Sequence, residues 1–163
     1  MKKTIVSFFL LFGAIGLFAQ ETNLKKLQFV AEGDAQFNKS SMCEFMVGPT
    51  YRVHDFASLG VLAGISGLDT DSETENVISV PILLRGQFQN NNKKRSLMGM
   101  LDLGYDINTK YSDYNSVRTS VLVGYSEIGK WYCGLGWTMF MSTNKDVEDK
   151  GTHALTLRVG YVF

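Results

Sequence analysis

The sequence predicts an all-β protein, an eight-stranded antiparallel up-and-down transmembrane β-barrel. Apolar and non-apolar residues alternate through eight segments, and successive side chains of a strand point to opposite faces. No segment after the first twenty residues has helical apolar spacing with a cap. The closing segment reads THALTLRVGYVF and ends on an aromatic residue, as a lipid-facing strand does. One face of that segment holds Leu155, Leu157, Val159, Tyr161 and Phe163.

The first twenty residues have the layout of a secretory signal peptide. Lys2 and Lys3 precede an apolar run that ends near Phe18, and Ala19 is a small residue at the cleavage region. The sequence therefore predicts a signal peptide over residues 1–20 and a barrel over residues 21–163. A retained membrane anchor is the alternative, although the apolar run is short for a spanning helix.

The charge balance excludes one class of partner. Without residues 1–20 the chain has 14 basic and 16 acidic residues and no basic stripe. Binding to nucleic acid needs clustered Lys and Arg, so we expect no nucleic-acid partner. The length corresponds to a single domain.

The eight predicted strands are connected by polar turns. Each is long enough to cross the hydrocarbon core at a tilt, which takes about 9–11 residues. Pro49 cannot donate to a ladder, so we expect a bulge or locally broken pairing beside it. An even number of strands places both chain ends on one side, which we predict to be periplasmic. The predicted strands are Leu27–Phe37, Cys43–Val53, Ala57–Leu68, Asn76–Phe88, Ser96–Ile107, Val117–Tyr125, Trp131–Met141 and Thr152–Phe163.

The non-apolar face of the predicted strands indicates that this face, and not the apolar one, lines the interior of the barrel. A soluble lipocalin-type barrel would hold its apolar face inside. Here the other face is rich in glycine and carries charges of both signs, while aromatic residues lie near strand ends. Buried charges persist when they are paired, so we predict an internal ion network and a lipid-facing apolar surface. The predicted network comprises Glu32, Asp34, Glu44, Arg52, Arg85, Asp102, Asp106, Arg118 and Arg158.

With these patterns the chain resembles the small eight-stranded outer-membrane barrels of Gram-negative bacteria, of the OmpX, OmpA transmembrane-domain and opacity-protein type. The most specific element is the closing strand, where Leu155, Leu157, Val159, Tyr161 and Phe163 match the family's alternating signature. The resemblance implies location in the cell outer membrane, contact with its lipid and lipopolysaccharide, and recognition of this strand by the barrel-assembly machinery. It carries no active site.

The cysteine and histidine residues do not form a pattern that predicts a catalytic, cofactor-binding or metal-binding site. Cys43 and Cys133 are predicted to be separate free thiols, because the register places them near opposite ends of the barrel. His153, near Ser142, Asp146 and Asp149, is the candidate for a lipid-modifying enzyme. No pattern joins a nucleophile to a base, so we predict no catalytic residues, no cofactor and no metal site.

Besides the lipid-modifying enzyme, two functional hypotheses remain open from the sequence. The first is a non-enzymatic barrel whose lumen is filled with side chains and whose outer loops have a structural role or contact an extracellular or membrane-protein partner. The second is a small passive channel lined by the same charges. Eight strands leave room only for side chains, which favours the first.

Overall fold

The computed structural model describes residues 26–38, 41–69, 77–90, 93–109, 115–127, 130–144 and 151–163. Residues 1–20, with the predicted signal peptide, lie outside this range, as does most of the acidic connection after the third strand. Among the described residues, no helix is long and apolar enough to cross a membrane.

Eight antiparallel strands form one closed barrel in which each strand pairs with its sequence neighbours and the last pairs with the first. The predicted strands are all present, and their ends differ from the prediction by at most two residues. The strands are β1 Leu27–Phe37, β2 Ser41–His54, β3 Ala57–Asp69, β4 Val77–Gln89, β5 Arg95–Asn108, β6 Ser116–Glu127, β7 Trp131–Ser142 and β8 Gly151–Val162.

The strands are staggered around the barrel. Following paired residues from Leu27 on β1 through each neighbouring strand returns to β1 at Phe37, ten residues further on. Such a shear requires the strands to tilt relative to the barrel axis, and at eight strands it leaves an interior that side chains can fill. Side chains from one strand therefore meet partners from non-adjacent strands across the lumen.

Both prolines interrupt a ladder beside β3 without shifting its register. The pairing of β2 with β3 stops at Val47 and resumes at Thr50, and the pairing of β3 with β4 is interrupted in the same way beside Pro81. The missing proline N–H explains both gaps. The locally broken pairing predicted at Pro49 is confirmed, and the register shift of this ladder lies instead between Arg52 and His54.

The predicted assignment of the two faces is confirmed on all eight strands. Large apolar side chains cover the outside, with exposed fractions from 37% at Tyr105 to 76% at Leu97. Soluble monomers rarely expose a contiguous apolar surface larger than a few hundred Å². The polar side chains and an apolar cluster, which includes Met46, Leu62 and Leu83, are buried inside. The barrel therefore presents its apolar surface to its surroundings.

The exposed aromatic side chains are unevenly distributed between the two ends of the barrel. Phe37, Phe45 and Tyr105 lie near the end opposite the chain termini, and Trp137 lies near the middle of β7. Seven others lie near the end that holds the termini, so the exposed aromatic side chains of the described residues are concentrated at that end. These seven are Tyr51, Phe56, Phe88, Tyr125, Trp131, Tyr161 and Phe163.

Candidate functional site in the barrel lumen

The centre of the lumen holds two arginines between three carboxylates. The Arg85 guanidinium donates to both oxygens of Asp102, from Nε to Oδ1 at 2.7 Å and from Nη2 to Oδ2 at 2.9 Å. It also donates to both oxygens of Glu32, one bond being Nη2 to Oε1 at 2.7 Å. Two bidentate pairs on one guanidinium fix its plane as well as its position. Arg85 thus joins β4 to β5 and, across the lumen, to β1.

Arg158 on β8 makes the second central set of contacts. Its Nε and Nη2 donate to the two oxygens of Asp34 at 2.8 and 2.6 Å, and its Nη1 donates to Asp102 Oδ2 at 2.6 Å. Asp102 therefore accepts from two arginines on different strands. Arg85, Arg158 and Asp102 are each 0% exposed, so these three side chains are fully enclosed by the protein.

Tyr132 on β7 completes the central set, and the sequence did not identify it as a member of the network. Its hydroxyl donates to Glu32 Oε2 and lies 3.4 Å from Arg85 Nη1. A signal was present, because Tyr132 lies on the inward face and pairs with Gly160, which has no side chain to obstruct the ring. We call Glu32, Asp34, Arg85, Asp102, Tyr132 and Arg158 the central network.

A less completely satisfied layer surrounds Arg118, on the side of the central network away from the chain termini. Arg118 Nη1 donates to Glu44 and lies 3.8 Å from Asp106 Oδ1, and its Nη2 lies 3.5 Å from Asp34 Oδ2. The guanidinium also lies 5.5 Å from the centre of the Phe140 ring. Glu44 Oε1, Asp106 Oδ1 and Arg118 Nε have no hydrogen-bond partner. This layer is held by fewer bonds than the central network.

Eight of the nine residues predicted for the ion network lie in these two layers. Arg52 does not join them: it is near the end of β2 that lies beside the chain termini, and no salt bridge involves it among the described residues. The alternation pattern predicted that the Arg52 side chain faces inward. It does not predict how far along the barrel axis a residue lies. The prediction that Arg52 belongs to the ion network is therefore wrong, because Arg52 lies closer to the chain termini than the two layers do.

Other predicted features have definite places. Cys43 and Cys133 are free, as predicted, and both belong to the outward-facing set of their strands. His153 is exposed on the outside of β8, where its Nδ1 accepts a hydrogen bond from Trp137 Nε1 at 3.2 Å. Asp146 and Asp149 lie outside the described residues. No group of His, Cys, Asp and Glu among the described residues could hold a metal ion.

Polar side chains at the end of the lumen beside the termini form a shallow vestibule. Gln28, Thr50, Ser58 and Gln87 line it, and Tyr132 contributes to its inner wall. The cavity volume is about 10 Å³, close to the minimum for one water molecule. The vestibule therefore ends at the central network.

Known structures share this architecture. The N-terminal β-barrel domain of Pseudomonas aeruginosa OprF superposes with a TM-score of 0.53 at 12% identity, covering 85% of this chain and 97% of that one. The chain has the fold of an eight-stranded outer-membrane β-barrel. The outer membrane protein OprG of Pseudomonas aeruginosa is a further neighbour, with a TM-score of 0.47, 10% identity and coverage of 85% and 96%. No protein-family model and no curated protein matches the sequence.

Proposed function

We propose that the protein is an integral barrel of the outer membrane of a Gram-negative bacterium and that its lumen is a structural core, with no conduction path. The observation that carries the proposal is the complete burial of Arg85, Arg118 and Arg158, each 0% exposed, among five carboxylates. Charged groups in such a layer hold each other in fixed positions. The exposed apolar exterior and the shared fold support the membrane location.

The surface role is proposed for the connections opposite the chain termini. These four connections contain seven acidic and four basic residues in the sequence. Because the lumen is filled with side chains, we expect these connections to make the contact with an extracellular or membrane-protein partner. The closing strand is proposed to be read by the barrel-assembly machinery, since Leu157, Val159 and Phe163 are all exposed on its outer face.

A small passive channel is the second candidate, and one observation favours it. Polar side chains line the lumen on both sides of the central network, including the partner-free atoms around Arg118. Rearrangement of the central network would connect the two sides. We rank this function second because each carboxylate oxygen of Glu32, Asp34 and Asp102 is held by an arginine.

Planar-bilayer recording on refolded protein separates these functions. A filled structural lumen predicts no reproducible unitary current from protein whose folded state is verified by heat-dependent electrophoretic mobility. Unitary currents that are abolished on unfolding would establish the channel and overturn the structural proposal. A role for His153 in lipid modification is tested by His153→Ala, for which we expect unchanged lipid A composition, because its Nδ1 is already bonded to Trp137.

A further inference from the structure

A cationic cluster lies at the rim of the barrel that holds the chain termini. Lys94, Arg95 and Lys130 surround the single carboxylate of Glu127, at 3.9, 4.0 and 3.6 Å from its Oε1. The three cationic side chains are 76%, 65% and 55% exposed, whereas the Glu127 side chain is 8% exposed. One carboxylate balances one of three charges. The cluster therefore presents an excess of positive charge to its surroundings.

The cluster adjoins the apolar exterior directly. Arg95 pairs with Glu127 across β5 and β6, and the next outward-facing pair on these two strands is Leu97 with Tyr125. Leu97 is 76% exposed, and Trp131 follows Lys130 in the chain. Cations above exposed aliphatic and aromatic groups match the arrangement of a phospholipid, with its phosphate at the surface and its acyl chains below.

The sign of the charge differs between the two ends of the barrel. The described residues near the chain-terminal end include Lys26, Arg52 and Lys93 in addition to the cluster, against Asp55 and Glu127. The opposite connections have an excess of acidic residues. The charges of the described residues therefore attract an anionic ligand to the rim that holds the chain termini.

We propose that the cluster of Lys94, Arg95 and Lys130 is a binding site for the phosphate group of an anionic phospholipid, whose acyl chains lie against Leu97, Tyr125 and Trp131. This inference rests on the proposed membrane location and on the predicted periplasmic side of the chain termini, which together place the rim in the phospholipid leaflet. It adds a lipid preference that the location alone does not imply. Glu127 holds the three cations together and limits their net charge.

The two tryptophans allow the lipid beside the cluster to be compared with lipid away from it, because Trp131 is the first residue of β7 and Trp137 lies near the middle of that strand. Trp137→Phe leaves Trp131, which is beside the cluster, and Trp131→Phe leaves Trp137, which is bonded to His153. Each single-tryptophan protein is refolded into mixtures of phosphatidylcholine with brominated phosphatidylglycerol, or with brominated phosphatidylcholine as the reference. Bromine quenches tryptophan on contact, so the extent of quenching gives the relative affinity of each lipid for that site.

At Trp131 we expect phosphatidylglycerol to be preferred over phosphatidylcholine about fivefold. This is the effect of roughly one Lys or Arg charge near a membrane surface. The preference should fall with added NaCl and should be absent at Trp137. Lys94→Gln, Arg95→Gln and Lys130→Gln combined should remove it. The matched control replaces Lys110, Lys145 and Lys150 by Gln, which removes the same charge elsewhere and should leave the preference intact. Glu127→Gln should increase it.

Each other result has a definite meaning when heat-dependent mobility shows that the protein is folded. Equal quenching of Trp131 by the two brominated lipids, or a preference that survives the triple substitution at the cluster, overturns this inference and leaves the proposed function in place. No quenching of either tryptophan by any brominated lipid would overturn the membrane location itself. Displacement of the lipid by inorganic phosphate at constant ionic strength would show a site for free phosphate instead.

Discussion

Gly160 on β8 lies against the ring of Tyr132 on β7, so closely that a Cβ added to Gly160 would be 2.2 Å from Tyr132 Cζ and 2.5 Å from its hydroxyl oxygen. The two residues are paired across neighbouring strands and both face the lumen. The missing side chain at position 160 therefore gives the tyrosine the space in which its hydroxyl reaches Glu32. The hydrogen bond between Tyr132 and Glu32 therefore depends on glycine at position 160.

Gly160→Ala is predicted to lower the free energy of unfolding by about 1–3 kcal/mol, because the added methyl must displace a rigid buried ring. Urea unfolding from detergent measures the change. Gly99→Ala on β5 is the matched control, since a Cβ there would meet no atom within 4 Å. In a Tyr132→Leu background the cost of Gly160→Ala should fall, and an undiminished cost would show that the ring is not what the methyl meets.

Tyr132→Phe is predicted to lower the free energy of unfolding by about 1.5–3 kcal/mol, the range for a hydrogen bond to a charged group. The substitution removes the hydroxyl that donates to Glu32 and leaves the ring in place. Tyr125→Phe, on the outer face, should change stability by less than about 0.5 kcal/mol. The same urea midpoints test both, and equal effects would exclude Tyr132 from the central network.

Arg158→Leu is predicted to cost about 3–5 kcal/mol, because it leaves Asp34 and Asp102 buried with fewer partners. Arg95→Leu is the comparison, since the Arg95 side chain is 65% exposed and its single carboxylate contact is at 4.0 Å. That change should cost less than about 1 kcal/mol. Coincident unfolding curves for the two variants would contradict the assignment of Arg158 to a buried network.

Glu32→Gln is predicted to cost more than Glu44→Gln, although both residues are buried glutamates. Both oxygens of Glu32 accept from Arg85, and one also accepts from Tyr132, whereas Glu44 accepts only from Arg118 and its Oε1 has no partner. We expect about 3 kcal/mol or more at Glu32 and about 1–2 kcal/mol at Glu44. A reversed order of the two urea midpoints would show that the layer around Arg118 contributes more to stability than the central network does.

The fold was predictable from the sequence because successive side chains of a strand point to opposite faces of the sheet. Alternation of apolar and polar residues assigns each side chain to a face, and that rule placed Leu83, Arg85 and Gln87 inside even on β4, where the pattern is least regular. Strand ends followed from polar turns, as at Phe37. The sheet order follows because each strand pairs with its neighbour in the chain.

The partners within the lumen were not predictable by the same rule. Alternation gives the direction of a side chain and not its height, so Arg52 was grouped with Arg158 although they lie in different layers. Height depends on the stagger of the strands, which is set by the register of all eight ladders. Tyr132 was missed for a related reason: its contact with Glu32 crosses the lumen between β7 and β1.

The most direct test of a barrel with an apolar exterior and a filled lumen is spin-label accessibility along β5. Single cysteines would be placed at Leu97, Met98, Met100 and Leu101 in a background with Cys43→Ser and Cys133→Ser, and labelled in refolded protein in lipid. The structure predicts high accessibility to oxygen at positions 97 and 101, and low accessibility to both oxygen and a water-soluble nickel complex at positions 98 and 100. High accessibility to the nickel complex at positions 98 and 100 would contradict the account, because it would require an open, water-filled lumen.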